Sequence, residues 1–252
     1  MKCLIIAAGK GSRLRQLGDS KPLIPILGLP LIERVIRTAM ESGADDFYVV
    51  TGYREKLVRV FLAGLTGRLG CRITPIFNRD WERENGLSVL RAREYLQEPF
   101  LLLMADHLFD PSIARDLIAQ ALSDGEIALV VDKDTHNSLI DMEDVTRVKA
   151  NAEKILNIGK GLTDFNGFDT GIFKCTPVIF RALEPGLKED GDATLSGAVR
   201  ILAAAGKARA VAINGRFWID VDDPAAVNRA ENVILAHLKA KPSDGPVSRY
   251  IN

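Results

Sequence analysis

Two glycines, Gly9 and Gly11, stand in the run Ala7-Ala8-Gly9-Lys10-Gly11-Ser12-Arg13-Leu14, directly after an apolar stretch. Glycines in that place let backbone N–H groups approach a phosphate without side-chain obstruction. Arg13 follows two residues on, and Lys21-Pro22-Leu23 brings a second cation to the same loop. Such a loop suits a polyphosphate. It is not a Walker loop, because the spacing G-x-x-x-x-G-K-S/T is absent. It also fails the dinucleotide fingerprint, since Leu14 stands where the third glycine belongs. Asp106, in Met104-Ala105-Asp106-His107, follows a second apolar run. Open α/β sheets bind ligands at the carboxyl ends of their strands, so a carboxylate there is placed to meet one. Asp169 interrupts the apolar stretch Phe168-Asp169-Thr170-Gly171-Ile172-Phe173. An acidic side chain in such surroundings is expected to bind something polar, such as the hydroxyls of a ligand.

Short apolar strands alternating with amphipathic helices must position these groups. The pattern predicts strands over 2–7, 46–51, 72–77, 100–105 and 126–131. Leu31, Ile32, Val35, Ile36, Ala39 and Met40 recur at helical spacing, and further helices are expected over 54–63, 87–96, 112–122 and 194–205. Near-continuous apolar strands separated by helices imply a mostly parallel sheet covered on both faces. Region 141–175 reads differently, with strand-like pieces at 145–150 and 168–175, and is expected to carry an antiparallel addition. A final helix starts near Asp223-Pro224, where a carboxylate can cap and proline suits the first turn. Residues 243–252 lack any apolar stripe and read as a tail.

Composition narrows the function classes. Lys plus Arg number 33 and Asp plus Glu 33, for zero net charge, which argues against a nucleic-acid partner. The apolar share of 47% and charged share of 26% are those of a soluble globular protein. At ~150 residues per domain, 252 residues make one large domain or two small ones. The longest unbroken apolar runs, 3–8 and 100–105, fall far below the ~20 residues that span a bilayer. Lys2 is followed by too short a run for a signal peptide. Three scattered cysteines, Cys3, Cys71 and Cys175, fit neither a disulfide framework nor a zinc site. A reduced, cytoplasmic protein is expected.

The segments AAGKGSRL and SKPLIPILGLPLIERVI resemble the amino-terminal signature of nucleotidyltransferases that activate sugar and alcohol phosphates. The resemblance extends over residues 1–238. It implies an α/β, Rossmann-like three-layer nucleotidyltransferase fold with a mostly parallel mixed sheet, releasing pyrophosphate as it transfers a nucleotidyl group. It implies that Ala7, Ala8, Gly9 and Gly11 hold the triphosphate, with Arg13 and Lys21 as the catalytic cations. Charge concentrates at the attacked α-phosphorus, and positioned cations stabilise it without covalent help from the protein. Asp106 matches the family's metal aspartate, and Asp220, in Trp218-Ile219-Asp220-Val221-Asp222-Asp223, matches the second. Mg2+ is the implied cofactor, an ion that takes few protein carboxylates. Asp222 or Asp223 is then expected to cap the last helix.

Gly86, in Asn85-Gly86-Leu87-Ser88, matches the glycine whose backbone meets the nucleobase. Asn85 and Ser88 flank it, and either can instead cap a helix. Lys160, between Gly159 and Gly161, falls where relatives place a lysine against the acceptor's phosphate, and Asp169 is assigned to acceptor hydroxyls. Lys133 is a weaker acceptor candidate, and His107 is left unassigned. The stretches ENGLSVLRA, MADHLFD and GFDTGIFKC are most similar to inositol-1-phosphate cytidylyltransferases, which implies CTP and inositol 1-phosphate as substrates and CDP-inositol as product, on the route to di-myo-inositol phosphate. Choline phosphate would call for an anionic or aromatic cage. Aromatics are few around the motifs, although Trp81 and Trp218 keep that acceptor open.

Two other classes fit less well. A nicotinamide oxidoreductase wants an acid after the second strand, where Thr51-Gly52-Tyr53 stands. A non-catalytic nucleotide sensor would not need both Asp106 and Asp220 beside Arg13 and Lys21. The closing stretch DGPVSRYIN resembles the lead-in to a membrane CDP-alcohol phosphotransferase domain. That implies that 239–252 is a linker and that the natural chain continues into a domain anchored at the cytoplasmic membrane.

Overall fold

The computed structural model describes residues 1–189 and 192–240. The expected tail, 243–252, lies outside them. Nine strands form the main sheet: β1 (Lys2–Ala7), β2 (Asp46–Thr51), β3 (Arg72–Phe77), β4 (Phe100–Met104), β5 (Ile127–Asp132), β6 (Arg147–Asn151), β7 (Lys154–Gly159), β8 (Gly167–Cys175) and β9 (Ala208–Ala212). Their spatial order is β3-β2-β1-β4-β8-β5-β9-β7-β6. The pairings β1–β2, β2–β3, β1–β4 and β5–β9 are parallel. Strands β7 and β8 run against the others. The sheet is therefore mostly parallel in direction and mixed, as expected.

Strand β1 shows why. Cys3, Ile5 and Ala7 pack into one core, while Leu4 and Ala8 pack into another on the opposite face. A strand buried on both faces has no polar alternation, hence its continuous apolar sequence. Helices α1 (Leu31–Glu41), α2 (Glu55–Leu69), α4 (Pro111–Ala119) and α7 (Pro224–Ala240) cover the first face. Helices α3 (Asn85–Leu90), α5 (Val178–Glu189) and α6 (Leu195–Ala204) cover the second. Each fully buried Leu or Ile in these layers is worth about 1.5–3 kcal/mol.

Helix boundaries follow capping chemistry. Asp110 accepts from the Ser112 N–H at 2.8 Å and precedes Pro111 at the start of α4. Thr194 accepts from the Gly197 N–H at 2.9 Å and opens α6. Asp223 accepts from the Ala226 N–H at 2.6 Å and opens α7. The capping role falls to Asp223, and Asp222 is left for the site.

Two helix expectations need correction. The helix expected over 87–96 is α-helical only over α3, and Ala92, Arg93 and Tyr95 continue it with N–H bonds to the third residue back. Apolar periodicity cannot separate such tight turns from α-helix. The helix expected over 54–63 runs on to Leu69 and ends at Gly70, whose φ of +65° suits a left-handed cap. Region 141–175 carries the expected antiparallel addition, in two places. The β6–β7 hairpin closes one edge, but β8 inserts between β4 and β5, in mid-sheet. Strands β7 and β9 and helix α5 had no expectation at all.

Candidate active site

The carboxyl ends of β1 and β4 and the amino-terminal half of the antiparallel β8 open onto a cleft of about 340 Å³. On the β1 side, Gly11 takes φ +60°, and a Cβ there would lie 2.4 Å from Cβ of Lys21. Glycine thus lets Lys21 fold beneath the loop. Lys21 is 9% exposed, and its Nζ donates to Asp106 and to Asp222. Burial alone would lower its pKa, but Asp106, Asp220 and Asp222 outweigh that and hold it above the usual lysine range. Ala8 and Gly9 line the cleft. Gly52, just past β2, has no room for a Cβ, which would meet Cβ of Trp81 at 2.3 Å and the Ala8 carbonyl at 2.6 Å. That close fit sets Trp81 on the cleft wall beside the loop.

Asp106, His107 and Asp220 meet through a small ribbon. Residues His107–Phe109 pair antiparallel with Trp218–Asp220, so that His107 lies opposite Asp220. The Val221 N–H donates to the Asp106 carbonyl at 3.0 Å and locks the register. His107 Nδ1 lies 2.6 Å from the Thr170 carbonyl, which can only accept, so Nδ1 carries the proton. Its Nε2 faces Asp220 at 3.6 Å and Asp106 at 3.8 Å. Burial disfavours the charged imidazole, but Asp220, Asp106 and the Thr170 carbonyl push its pKa up to about 10. For Asp220, burial raises the pKa and His107 and Lys21 more than reverse it, leaving its carboxyl well below the usual range.

One potential ligand atom from each of Asp106, His107 and Asp220 lies within 4.8 Å of the others. Oδ1 of Asp220 is buried with no hydrogen-bond partner among the described residues. An orphaned carboxylate oxygen is costly unless something positive meets it. The two hard oxygen donors suit a divalent cation of the magnesium type.

The bulge in β8 completes this corner. Register shifts between Asp169 and Phe173, and Gly171 takes φ +71°. A Cβ at Gly171 would lie 2.4 Å from His107 Nδ1, so only glycine lets the imidazole sit against the strand. Asp169 lines the cleft and accepts from the Gly171 N–H at 2.8 Å. Burial pushes its carboxyl up to about 6.

From Lys21 an alternating chain of charges crosses the cleft. Asp222 joins Lys21 to Arg13, the latter contact at 2.7 Å. Arg13 reaches on to Asp144, and Asp144 also accepts from Lys160. Asp222 has its carboxyl pushed up to about 6 by burial and by Asp220. Asp144 is held below the usual range, chiefly by Lys160 and then by Arg13 against the opposing effect of burial.

The structure brings together most of the expected residues and relocates some. Ala8, Gly9, Asn85, Ser88, Asp106, Lys160, Asp169 and Asp220 line the cleft. Ala7, the last residue of β1, and Gly11 are not among the residues that line the cleft, and Lys21 pairs with Asp106 and Asp222. Gly86 donates its N–H to the Ala193 carbonyl at 2.9 Å, which a Cβ would strike at 2.4 Å. Its amide is thus already engaged inside the wall. Neither neighbour caps α3. Asn85 Oδ1 accepts from the Leu195 N–H at 2.9 Å, and Ser88 Oγ accepts from Asn78 at 3.0 Å. Lys133 is exposed and is not among the residues of the cleft. Sequence reading missed Asp144 and Arg229, gave Trp81 only a place in a choline cage, and left His107 and Asp222 undecided. Arg229, on α7, lines the cleft with its Nε buried and without a hydrogen bond among the described residues. Gly52 was the signal that could have found Trp81. Nothing in the polar run around Asp144 distinguished it from solvated surface.

A glycine loop after β1, a paired-aspartate corner and a cleft at the strand ends accompany an α/β fold of the nucleoside-triphosphate-using transferase class. The chain belongs to the MobA-like NTP transferase domain family, whose model matches residues 3–182. It is 34% identical over 98% of its length to a bifunctional IPC transferase and DIPP synthase of Rubrobacter xylanophilus, covering 55% of that protein. A protein of the same description from Aquifex aeolicus is 30% identical over 99% of this chain and 55% of its own length. The chain thus spans about half the length of the curated relatives it matches. The inositol-1-phosphate CTP transferase structure from T. maritima superposes with a TM-score of 0.80 at 26% identity, covering 96% of this chain and 97% of that one. A UDP-glucose pyrophosphorylase complexed with UDP-glucose shares the fold, with a TM-score of 0.78 at 18% identity, over 94% and 98% of the two chains.

Proposed function

We propose that this domain transfers a cytidylyl group from CTP to inositol 1-phosphate, giving CDP-inositol and pyrophosphate. The observation that carries the reading is the corner where Asp106 and Asp220 converge on Lys21 beside the glycine loop. Likeness to the T. maritima transferase and to the bifunctional relatives supports the choice of nucleotide and acceptor.

In this reading the Gly9–Gly11 loop cradles the triphosphate, and Arg13 and Lys21 turn from Asp144, Asp106 and Asp222 towards its oxygens. Asn85, Ser88 and Trp81 form the wall for the base, with Gly86 packing that wall from behind. Lys160 holds the acceptor's phosphate and Asp169 its hydroxyls. An acceptor phosphate oxygen attacks the α-phosphorus, the bond to the bridging oxygen breaks, and pyrophosphate departs with the electron pair. The acceptor is already anionic, so no protein nucleophile is needed. Mg2+ held by Asp106 and Asp220 would neutralise charge on the phosphate oxygens as they react. His107 keeps Asp220 in place and ionised. Once turned to the phosphate oxygens, the cations supply electrostatic stabilisation worth about 3–4 kcal/mol per well-placed group.

No described helix is long and apolar enough to cross a membrane. With the chain covering about half of its relatives, we further propose a cytoplasmic catalytic domain, 1–238, joined through 239–252 to a membrane CDP-alcohol phosphotransferase. That arrangement would raise the effective concentration of CDP-inositol at its consumer.

Pyrophosphate release, measured for four nucleoside triphosphates against inositol, choline, glycerol and hexose phosphates, tests the reading. Turnover confined to CTP with inositol 1-phosphate is expected. Preference for another pair would reassign the substrates, and no turnover with any pair would sink the enzymatic reading.

A further inference from the structure

The ion-pair chain contains one member that the reaction does not call for. Asp106, Asp220 and Asp222 come from two neighbouring strand ends, and Asp106 and Asp222 pair with Lys21 in a half-buried corner. Asp144 comes from the polar segment between β5 and β6. Its carboxylate meets Arg13 through one oxygen and Lys160 through the other. The first cation belongs to the nucleotide loop and the second to the acceptor loop. One side-chain anion thus occupies the point where the two substrate-binding ends of the cleft meet. We infer that Asp144 is a resident competitor in an anion seat between Arg13 and Lys160, which the acceptor's phosphate monoester must displace in order to bind. This rests on the proposed acceptor chemistry and adds to it the residue that sets acceptor affinity and selects for a phosphorylated ligand.

The local structure allows the exchange. The turn that carries Asp144 is held by Asp141, whose Oδ1 accepts from the Glu143 N–H at 3.0 Å and whose carbonyl accepts from the Val145 N–H at 2.9 Å. The backbone is therefore pinned independently of the Asp144 side chain. That side chain is 30% exposed, while Arg13 and Lys160 are 47% and 65% exposed. Pairs this wet are individually weak, so a ligand with more charge than a carboxylate can break them by side-chain rotation alone. A phosphate dianion has that charge and three oxygens to offer Lys160, and Arg13 is drawn from Asp144 by the triphosphate in the same way. An unphosphorylated polyol has neither and leaves Asp144 in place. Meanwhile the carboxylate keeps Arg13 and Lys160 gathered, so the incoming phosphate meets cations that are already ordered.

Asp144→Asn keeps the shape and removes the charge. The expected result is a KM for inositol 1-phosphate lowered by about threefold to tenfold, the size of one or two exposed ion pairs, with the change in KM rather than in kcat. That gain should vanish when Lys160→Gln is added, because the competition acts through Lys160. An unchanged or raised KM in Asp144→Asn overturns the inference, a raised one making Asp144 a ligand of the acceptor. A second measurement does not depend on the acceptor's identity. Inorganic phosphate, titrated calorimetrically, should bind Asp144→Asn more tightly than the unaltered chain, and equal or weaker binding overturns the inference. If neither protein turns over inositol 1-phosphate, the acceptor assignment fails, and the phosphate titration still decides the competitor role.

Discussion

The two ends of the cleft are built on different principles. At the end proposed for the nucleotide, the parallel strands β1 and β4 deliver Gly9 and Asp106 from a sheet packed on both faces, and Lys21 is nearly buried. At the end proposed for the acceptor, Lys160 and Asp144 sit on connections around the β6–β7 hairpin, held by one another. The corner of Asp106, His107 and Asp220 lies between the two. Rigid strand ends suit the chemistry common to all acceptors, where charge must meet fixed charge. Wet, exchangeable ion pairs would suit an end that admits one ligand and refuses others.

The largest effect should come from the shared corner. Asp106→Asn or Asp220→Asn is expected to lower kcat by about 10²-fold or more, with Mg2+ dependence shifted to higher concentration. Full activity in dilute Mg2+ would remove these residues from the metal site. Next is the contrast between the two ends. Lys21→Ala should reduce kcat by about 10²-fold with every acceptor tested, whereas Lys160→Ala should raise the acceptor KM about tenfold and leave CTP affinity unchanged by calorimetry. Loss of CTP binding in Lys160→Ala would reverse the assignment of the two ends.

A smaller effect concerns the bulge. Gly171→Ala forces a Cβ against His107 at a positive φ, and about 1–3 kcal/mol of stability should be lost. A melting temperature equal to that of the parent would show that the His107 seat is soft. The smallest effect is a pH dependence. Asp169 is raised from 3.8 to about 6 in the folded chain, so between those values the unfolded chain releases its proton first. Stability should therefore decline as pH rises from about 4 to 6, with no further decline from this group above 6. Asp169→Asn should flatten that decline in denaturant titrations, and an unaltered slope would contradict the burial of this carboxyl.

Much of the nucleotide end is legible in the chain itself. Strand β1 with its glycines, strands β2 and β3 to the residue, and the cap-and-proline start of α7 all follow from apolar runs and local capping chemistry. Those signals are local, because backbone conformation and burial of a strand depend on nearby residues. The acceptor end was harder to read. Asp144 has no pattern of its own, and Lys160 stood out only through the family resemblance. Gly171 could be read as a strand residue but not as the reason why His107 fits. Asp222 and Asp223 are neighbours of the same type, yet one caps a helix and the other faces Lys21, which only their positions at the end of the ribbon distinguish.

The amino-acid sequence by itself determined which segments are buried on two faces, where a phosphate can approach the backbone, and which residue types stand ready for charge. Only the tertiary structure decided which charges meet. Insertion of β8 between β4 and β5 brings Thr170 to His107, and pairing of His107–Phe109 with Trp218–Asp220 brings Asp220 to Asp106. Coulombic pairing depends on separation through space and on the surrounding dielectric, neither of which spacing along a chain encodes.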